Sequence, residues 1–250
     1  MALPTIVSRE EWLEARRALL QKEKAATRAR DALNTERRNL PMVEVTKDYR
    51  FSGPEGDDLT LGDLFKGRRQ LMVVHFMFHP EWDEGCSSCS AAADERSPKL
   101  HEHLANRDTT LVTVARAPLA KIEAYKAKRG WTFPFYSSYG SDFNYDYGVS
   151  FDPEKPVVEY NYREIGGAPT GTATEAPGIS CFLRDGDRIF HTYSTYARGT
   201  EAAEGGSYYL LDLTALGRQE EWEEPKGRGA GLPPDPSGVA RPMQEGTTAP

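Results

Sequence analysis

The sequence reads Leu71-Met72-Val73-Val74-His75-Phe76-Met77-Phe78 and, after a short gap, Gly85-Cys86-Ser87-Ser88-Cys89-Ser90. An almost unbroken apolar run of this length is typical of a strand that is buried on both faces of a sheet. Alanines occupy residues 91–93, directly after the second motif, and alanine favours helix. We therefore expect a buried strand, a loop, and a helix that begins at the Cys-x-x-Cys.

Further elements are predicted on the C-terminal side of this motif. Residues 109–114 form a second apolar run, and residues 118–128 predict a helix with proline in its first turn. Residues 179–183 and 188–193 predict two strands joined by a glycine-containing turn. Strand–helix–strand units imply parallel strands, and a hairpin adds antiparallel ones. The predicted fold class is α/β, with a central mixed sheet and flanking helices.

A long helix is predicted on the N-terminal side. Ser8 and Glu11 form a capping-box pattern, and the sequence from there to about Arg38 is rich in strong helix formers. Pro41 ends the helix. One narrow apolar stripe recurs every seven residues, at Trp12, Leu19, Ala26 and Leu33. The rest of the chain or a second copy must cover such a stripe, which leaves a homodimer open.

The segment between this helix and the buried strand alternates in polarity. Apolar residues stand at odd positions, at Val43, Val45, Tyr49 and Phe51. Lys47 interrupts the alternation, which otherwise predicts one half-buried strand. Residues 53–58 predict a turn and residues 59–65 a short helical step.

These elements divide the chain into three predicted parts. Residues 1–40 form an N-terminal helical arm, residues 41–222 form the α/β domain, and a last helix over residues 207–216 closes it. Residues 223–250 contain proline and glycine runs without apolar periodicity. Such a composition buries too little apolar surface to offset the entropy of ordering, so we expect a disordered tail.

Composition and charge indicate the cellular compartment and exclude some classes of partner. The chain has 250 residues and a net charge of −7, which argues against a nucleic-acid partner. No apolar run is long enough to span a membrane, and the N-terminus lacks the pattern of a signal peptide. We expect a cytoplasmic protein without a membrane partner. In that compartment, the three cysteines indicate redox or metal chemistry more than structural disulfides.

The Cys-x-x-Cys predicts thiol–disulfide exchange. Cys86 would stand at the exposed start of the helix, where unpaired backbone amides and the helix dipole favour a thiolate. We predict that Cys86 is the nucleophile, with a pKa below the usual thiol range, and that Cys89 resolves the mixed disulfide. The substrate would be a thiol or disulfide of a protein or small molecule, with no cofactor.

A metal site is the alternative for the same two thiols. One Cys-x-x-Cys supplies two ligands, whereas tetrahedral zinc takes four. Cys86, Cys89, His79 and His191 could together form a composite site, as in a copper or zinc carrier. No second ligand pair in the sequence completes a local motif.

Other reactive or aromatic residues have simpler interpretations. Cys181 is expected to be a buried strand thiol that behaves as a small hydrophobe. His101 and His103 are expected on the surface. Nine aromatic residues lie within residues 131–151. Some of them must be core, and the tyrosines beside Asp142 and Asp146 could also line a cleft near the dithiol.

Several segments resemble a bacterial family of thioredoxin-like proteins of unknown physiological role, predicted to be dithiol–disulfide oxidoreductases. The resemblance extends from about residue 10 to residue 222. The matching stretches include 37–41, 75–78, 85–90, 116–119, 130–134, 142–146, 191–199 and 211–214. It implies a thioredoxin-like fold and dithiol chemistry at Cys86 and Cys89.

The resemblance also implies where substrate would bind. In thioredoxin-like folds a cis-proline before a strand lies against the dithiol, and Pro177 holds that position here. We expect Pro177, Trp82 and Trp131 to form the substrate-binding surface.

A more distant resemblance is to peroxiredoxins, in which a Pro-x-x-x-Thr-x-x-Cys motif follows the strand. In this sequence His79 stands at the proline position and Asp83 at the threonine position. The hydroxyl that would activate peroxide is therefore missing, which leaves thiol peroxidase as a secondary alternative.

Overall fold

A computed structural model describes residues 4–151, 157–166, 175–197, 200, 210 and 213–215 of the chain. The helices in these residues are α1 (Arg9–Arg38), α2 (Leu61–Leu64), α3 (Ser87–Asp94), α4 (Pro98–Ala105), α5 (Leu119–Arg129) and α6 (Phe143–Asp146). None of these described helices has both the length and the apolar character needed to cross a membrane. The predicted helix over residues 207–216 and the predicted tail over residues 223–250 lie largely or wholly outside the described residues.

The strands in chain order are β1 (Val43–Glu44), β2 (Arg50–Gly53), β3 (Gly56–Thr60), β4 (Gln70–His75), β5 (Thr109–Ala115), β6 (Phe135–Ser137), β7 (Val157–Tyr160), β8 (Arg163–Gly166), β9 (Gly178–Asp185) and β10 (Arg188–Tyr196). Eight of them form one sheet in the order β1-β10-β9-β4-β5-β6-β2-β3, and β7 and β8 form a separate hairpin.

The sheet is mixed. Strand β4 is parallel to β5, and β5 is parallel to β6, with helices in the connections. Strand β9 is antiparallel to β4, and β10 is antiparallel to β9. Two strand–helix–strand units followed by an antiparallel hairpin define a thioredoxin-like fold, which confirms the predicted fold class.

The central strands are buried on both faces, as the apolar runs predicted. Leu71 and Val73 of β4 pack on one face with Val112 and Val114 of β5. The opposite face holds smaller clusters, one of which contains Val74. The loop that leads to Cys86 begins directly after β4, so the buried strand fixes the point from which this loop starts.

The prediction of one strand over residues 43–51 is wrong. Val43 pairs with His191 at one edge of the sheet, whereas Ser52 pairs with Ser137 near the other. Lys47 lies in the crossing segment and binds the carboxylates of Asp142, the N-cap of α6, and of Asp146, its last residue. The alternation in polarity continues through the crossing because the core still buries every second side chain. Such a pattern does not show which neighbouring strand a segment pairs with.

The chain divides into two units, of which the first contains α1. The predicted capping box is present: the Glu11 amide donates to the Ser8 hydroxyl at 3.2 Å, and the Ser8 amide donates to the Glu11 carboxylate at 2.9 Å. No residue of the fully described helix α1 is buried. Trp12 and Leu19 of the apolar stripe are 46% and 50% exposed, so about half of each side chain remains open to a partner.

Candidate active site

The dithiol lies at the start of α3. Cys86 is the N-cap residue, with φ −52° and ψ 132°, and Ser87 begins the helix. The amide of Cys86 donates to the carbonyl of Met77 at 2.9 Å, which ties the end of the loop back to the chain leaving β4. The prediction that the helix begins at the Cys-x-x-Cys is confirmed.

Ser90 fixes the first turn of this helix. Its hydroxyl donates to the carbonyl of Cys86 at 2.8 Å and lies 2.9 Å from the hydroxyl of Tyr125 on α5. The backbone of Cys86 is thus linked to a second helix through buried groups, which holds the thiol in a defined place.

Gly85 is required by the packing behind the dithiol. A β-carbon at this position would lie 2.4 Å from an edge atom of the Phe76 ring and 3.1 Å from the Tyr125 ring. Only glycine lets the chain pass this closely to the aromatic core before turning into α3.

The two thiols differ in exposure, in the opposite sense to the prediction. Cys86 is 5% exposed, whereas Cys89 is half-buried. The expectation of an exposed Cys86 is therefore wrong. The Phe76 and Tyr125 rings stand behind the neighbouring Gly85, so the aromatic core reaches closer to the first cysteine than a helix start alone suggests.

The surroundings of Cys86 favour its thiolate. A hydrogen bond from the Cys89 thiol and further hydrogen bonds from the amides of Cys89 and Ser88 lower the pKa of Cys86 from 9.0 to about 7, against the opposing effect of burial. All three cysteines, including Cys181, are reduced in this structure. At neutral pH a large fraction of Cys86 is then ionised and nucleophilic.

Two of the three predicted substrate-binding residues pack on the same aromatic cluster as Cys89. Trp82, Trp131 and Cys89 all pack at the partly buried margin of one aromatic cluster, which includes Phe76 and Tyr125. Lys121 fixes the Trp82 loop by donating to the carbonyl of Trp82 at 3.0 Å. The indole of Trp131 donates to Asp94 at 2.8 Å.

The third predicted residue, Pro177, lies at the same end of the sheet. It directly precedes β9, whose first residue, Gly178, pairs with His75 at the end of β4. The chain leaves β4 at this point and runs towards Cys86. The contact of Pro177 with the dithiol and its role in substrate binding stay predictions.

The remaining sequence-based assignments have mixed outcomes. Cys181 is only partly buried and packs with Val74 and Ile179 in a cluster separate from the one that holds Cys89. His101 is half-buried and stacks on Phe133 with ring centroids 6.4 Å apart, so its assignment to the surface is wrong. His103 is exposed, as predicted.

No composite metal site forms in the described part of the chain, where no three His, Cys, Asp or Glu side chains converge. His79 accepts a hydrogen bond from the Glu81 amide, and His191 bonds to Ser194. The alternative that joined Cys86 and Cys89 to these two histidines is therefore wrong. Asp83, at the position of the peroxidase threonine, is exposed.

The aromatic residues of the 131–151 segment divide between core and cavity. Phe133, Phe135, Tyr136 and Phe143 are buried in the core. A cavity of about 660 Å³, which we call the tyrosine cavity, is lined by Tyr49, Tyr145, Tyr147, Tyr162 and Tyr196. None of the dithiol cysteines or candidate tryptophans is among its described lining residues, so the expectation of a cleft near the dithiol is wrong.

Sequence reasoning missed several residues that shape the site. Ser88 and the Ser90–Tyr125 pair are polar residues with no motif of their own, and they meet only after α3 packs on α5. Lys121, which fixes the Trp82 loop, lies one strand and two helices further along the chain.

Comparison with known proteins places the chain among bacterial sequences without an assigned role. A family model described as a bacterial protein of unknown function, DUF899, matches residues 1–233. No curated protein matches the sequence.

Three solved structures illustrate the similarities in chain path. Peroxiredoxin Q of Xanthomonas campestris is 12% identical, with 61% of this chain and 84% of that chain covered and a TM-score of 0.38. Peroxidoxin BcpB of Mycobacterium tuberculosis is 14% identical, with 63% and 85% covered and a TM-score of 0.39. A protein from Bacteroides thetaiotaomicron, named a putative protein disulfide isomerase, is 20% identical, with 66% and 87% covered and a TM-score of 0.38. At these scores none of the three bears on the reaction.

Proposed function

This chain belongs to the DUF899 family of bacterial proteins of unknown function, and we propose that it is a thiol–disulfide oxidoreductase whose reactive pair is Cys86 and Cys89. One observation carries the proposal. The Cys89 thiol and the first amides of α3 hydrogen-bond to the sulfur of Cys86 and lower its pKa to about 7. A thiolate with a second thiol at hydrogen-bonding distance is the arrangement that exchange chemistry requires.

The reaction takes two displacement steps. The Cys86 thiolate attacks one sulfur of a substrate disulfide, so that a mixed disulfide forms and the other substrate sulfur leaves as a thiolate that takes up a proton. Cys89 then loses its proton and attacks the sulfur of Cys86, which releases the second substrate thiol. Two electrons pass from the protein dithiol to the substrate, and the protein is left with a Cys86–Cys89 disulfide.

The hydrogen bond between the two thiols supports both steps. In the first step, donation from Cys89 stabilises the Cys86 thiolate. Once Cys86 is bonded to substrate it no longer carries a negative charge, so Cys89 can lose its proton without placing two thiolates side by side.

We assign the substrate surface to Trp82 and Trp131, with Pro177 at the end of the sheet. Both indoles are partly exposed at the margin of the cluster that holds Cys89. Aromatic side chains provide apolar contact area at small entropic cost, which suits binding of a peptide beside its disulfide. The substrate is a thiol or disulfide, and we place the reaction in the cytoplasm, where a cysteine pair serves redox chemistry more often than a structural disulfide.

Equilibration in glutathione redox buffers, followed by alkylation and mass spectrometry of the intact protein, tests this proposal. We expect one two-electron transition that joins Cys86 to Cys89. Cys86→Ser and Cys89→Ser should each abolish it, whereas Cys181→Ser should leave it unchanged. A wild-type protein that only acquires glutathione on single cysteines, or a disulfide that includes Cys181, would refute the assignment.

A further inference from the structure

The tyrosine cavity has the composition of a binding site. It opens between β1, the segment from Tyr145 to Phe151, the β7–β8 hairpin and β10. Its volume of about 660 Å³ falls in the range of small-molecule sites. The proposed dithiol reaction makes no use of this cavity.

Aromatic rings form one wall of the cavity. The ring centroids of Tyr162 and Tyr196 are 5.7 Å apart, and those of Tyr160 and Tyr196 are 5.8 Å apart. The Tyr162 hydroxyl donates to the carbonyl of Ser194 at 3.1 Å, and the Tyr196 hydroxyl donates to the carbonyl of Tyr147 at 2.9 Å. Since protein groups take up these hydroxyl protons, the wall offers a ligand mainly ring surface, chiefly that of Tyr162, which is 65% exposed, whereas Tyr196 is 8% exposed.

The charged groups that line the cavity are mostly acidic. Its lining contains the carboxylates of Glu44, Asp146 and Glu159 against one ammonium group, on Lys47. Glu44 pairs with Arg188, and Asp146 pairs with Lys47, but Glu159 has no basic partner among the described residues. Burial raises the pKa of Tyr162 and Tyr196, and the nearby Glu159 carboxylate raises it further. Among the described residues, a negative charge without a basic partner therefore lies beside the two rings.

The floor of the cavity adds no positive charge. Burial lowers the pKa of His191, so its imidazole is neutral at physiological pH. Its Nε2 atom lies 2.7 Å from the Ser194 hydroxyl, which lies 2.8 Å from the Ser180 hydroxyl. Ser180 in turn lies 2.8 Å from Nε2 of the fully buried His75. This series of hydrogen bonds joins β4, β9 and β10 and holds the floor of the cavity in place before any ligand enters.

The chain already binds one of its own cations in this way. The Lys47 ammonium lies 2.6 Å from the Asp146 carboxylate and 5.7 Å from the centroid of the Tyr49 ring. Two carboxylates, of Asp142 and Asp146, and a tyrosine ring thus surround an ammonium group of the protein itself. Glu159, Tyr162 and Tyr196 also line the cavity and combine a carboxylate with tyrosine rings, with no lysine paired to Glu159 among the described residues.

The backbone at Tyr162 supports a role for its side chain. Asn161 and Tyr162 form the β7–β8 turn with φ of 51° and 62°. Asparagine tolerates this left-handed region, but a bulky residue such as tyrosine does so at an energetic cost that glycine would avoid. The turn keeps a strained residue whose ring completes the wall of the cavity.

We propose that the tyrosine cavity binds a small organic ammonium ion, held by the Tyr162 and Tyr196 rings and the Glu159 carboxylate. The ammonium group contacts the ring faces through cation–π attraction, and Glu159 supplies the opposite charge. The site is independent of the proposed dithiol reaction and stands or falls separately from it.

Three probes of similar size and shape, which differ in charge, test the charge requirement. Binding is measured by isothermal titration calorimetry on the full-length protein at low ionic strength. Choline carries the positive charge, 3,3-dimethylbutan-1-ol is its neutral isostere, and 3,3-dimethylbutanoate carries a negative charge. We expect choline to bind roughly tenfold more tightly than the neutral isostere, the effect of one or two cation–π contacts, and the anion not to bind.

Variants locate the site. Tyr162→Gly relieves the backbone strain, which offsets the lost hydrogen bond to Ser194, so the protein should stay folded and lose choline binding. Glu159→Gln should weaken choline binding several-fold and leave the neutral isostere unaffected. Tyr139→Ala is the matched control, because Tyr139 is 62% exposed and does not line the cavity, and it should bind choline as the wild type does.

Equal affinities for choline and its isostere, or no choline binding at millimolar concentration, would overturn the proposal. Choline binding that survives in Tyr162→Gly and Glu159→Gln would also overturn it, because the ammonium ion would then bind elsewhere. Cys86 reactivity in the same variants should match the wild type, which separates this site from the dithiol.

Discussion

The Cys89 thiol hydrogen-bonds to the sulfur of Cys86, and the sulfur that receives this hydrogen bond is the more buried of the two. The cysteine whose pKa is lowered is therefore not the cysteine that is more exposed to solvent. The pKa of Cys86 is lowered by its neighbour and by the amides at the helix start, whereas Cys89 is the more exposed residue of the pair.

The first prediction concerns the pH dependence of alkylation. Cys86 should react with iodoacetamide with a midpoint near pH 7, since the pKa of its thiol is lowered to about 7. Cys89→Ala removes the donor with the largest effect and should raise the midpoint towards the ordinary thiol range. Cys89→Ser keeps a hydroxyl donor and should lie between the two. Peptide mapping of the labelled cysteine identifies the site, and first labelling at Cys181 would contradict the assignment.

The second prediction concerns the stability of the reduced protein. The pKa of Cys86 is about 7 when folded and 9.0 in the reference state, so the unfolded chain binds more protons between these values. The free energy of unfolding should rise by roughly 1–3 kcal/mol from pH 7 to pH 9 and lose this gain as the pH falls through 7. Urea denaturation of wild type and Cys86→Ala across this range measures the difference, which should be absent in the variant.

The third prediction tests the close packing at Gly85. Gly85→Ala places a β-carbon 2.4 Å from the Phe76 ring, so it should destabilise the protein by about 1–3 kcal/mol. Gly166→Ala is the control, because no atom of the described residues lies within 4 Å of the added carbon. Denaturant midpoints compare the two. Similar stabilities would show that the Phe76 ring moves aside without cost.

The fourth prediction concerns substrate binding at Trp82. Trp82→Ala should raise KM for a peptide disulfide roughly tenfold, as loss of one aromatic contact does, with kcat little changed. Lys121 binds the carbonyl of Trp82, so the loop should keep its path in the variant. Trp12→Ala removes a tryptophan from α1 and should leave KM unaffected. A fall in kcat at unchanged KM would assign Trp82 to the chemistry rather than to binding.

The fifth prediction concerns α1. Trp12 and Leu19 are half exposed on an isolated stripe, and a single helix of this kind is marginal in water. We predict that the stripe packs against the same helix of a second copy. Trp12→Ser combined with Leu19→Ser should convert a dimer to a monomer in light scattering while Cys86 keeps its reactivity. A monomeric wild type would rule out the dimer.

The features that could be predicted from the sequence are those encoded by neighbouring residues. The apolar run that became β4, the alanines after Cys89 and the glycine between β9 and β10 each specify their element locally. Together they were sufficient for the thioredoxin-like fold and for the position of the dithiol at a helix start.

The features that escaped prediction depend on distant residues or on unusual local chemistry. The burial of Cys86 depends on α5, which lies a strand and a helix further along the chain. The β7–β8 turn lacks the glycine that usually signals a hairpin. Tyr162 adopts there the left-handed conformation that glycine would normally supply. Four separate segments form the tyrosine cavity, so no sequence motif marks it.

The crossing between β1 and β2 has a consequence for synthesis on the ribosome. Strand β2 can pair early with the neighbouring β3, but Val43 pairs with His191 and Ser52 pairs with Ser137, so these two contacts form only after much of the chain has been translated. Such distant contacts slow folding because loop closure must precede them. The emerging chain therefore exposes the apolar residues of 43–53 for much of its synthesis, a period in which a chaperone that holds nascent chains would protect it.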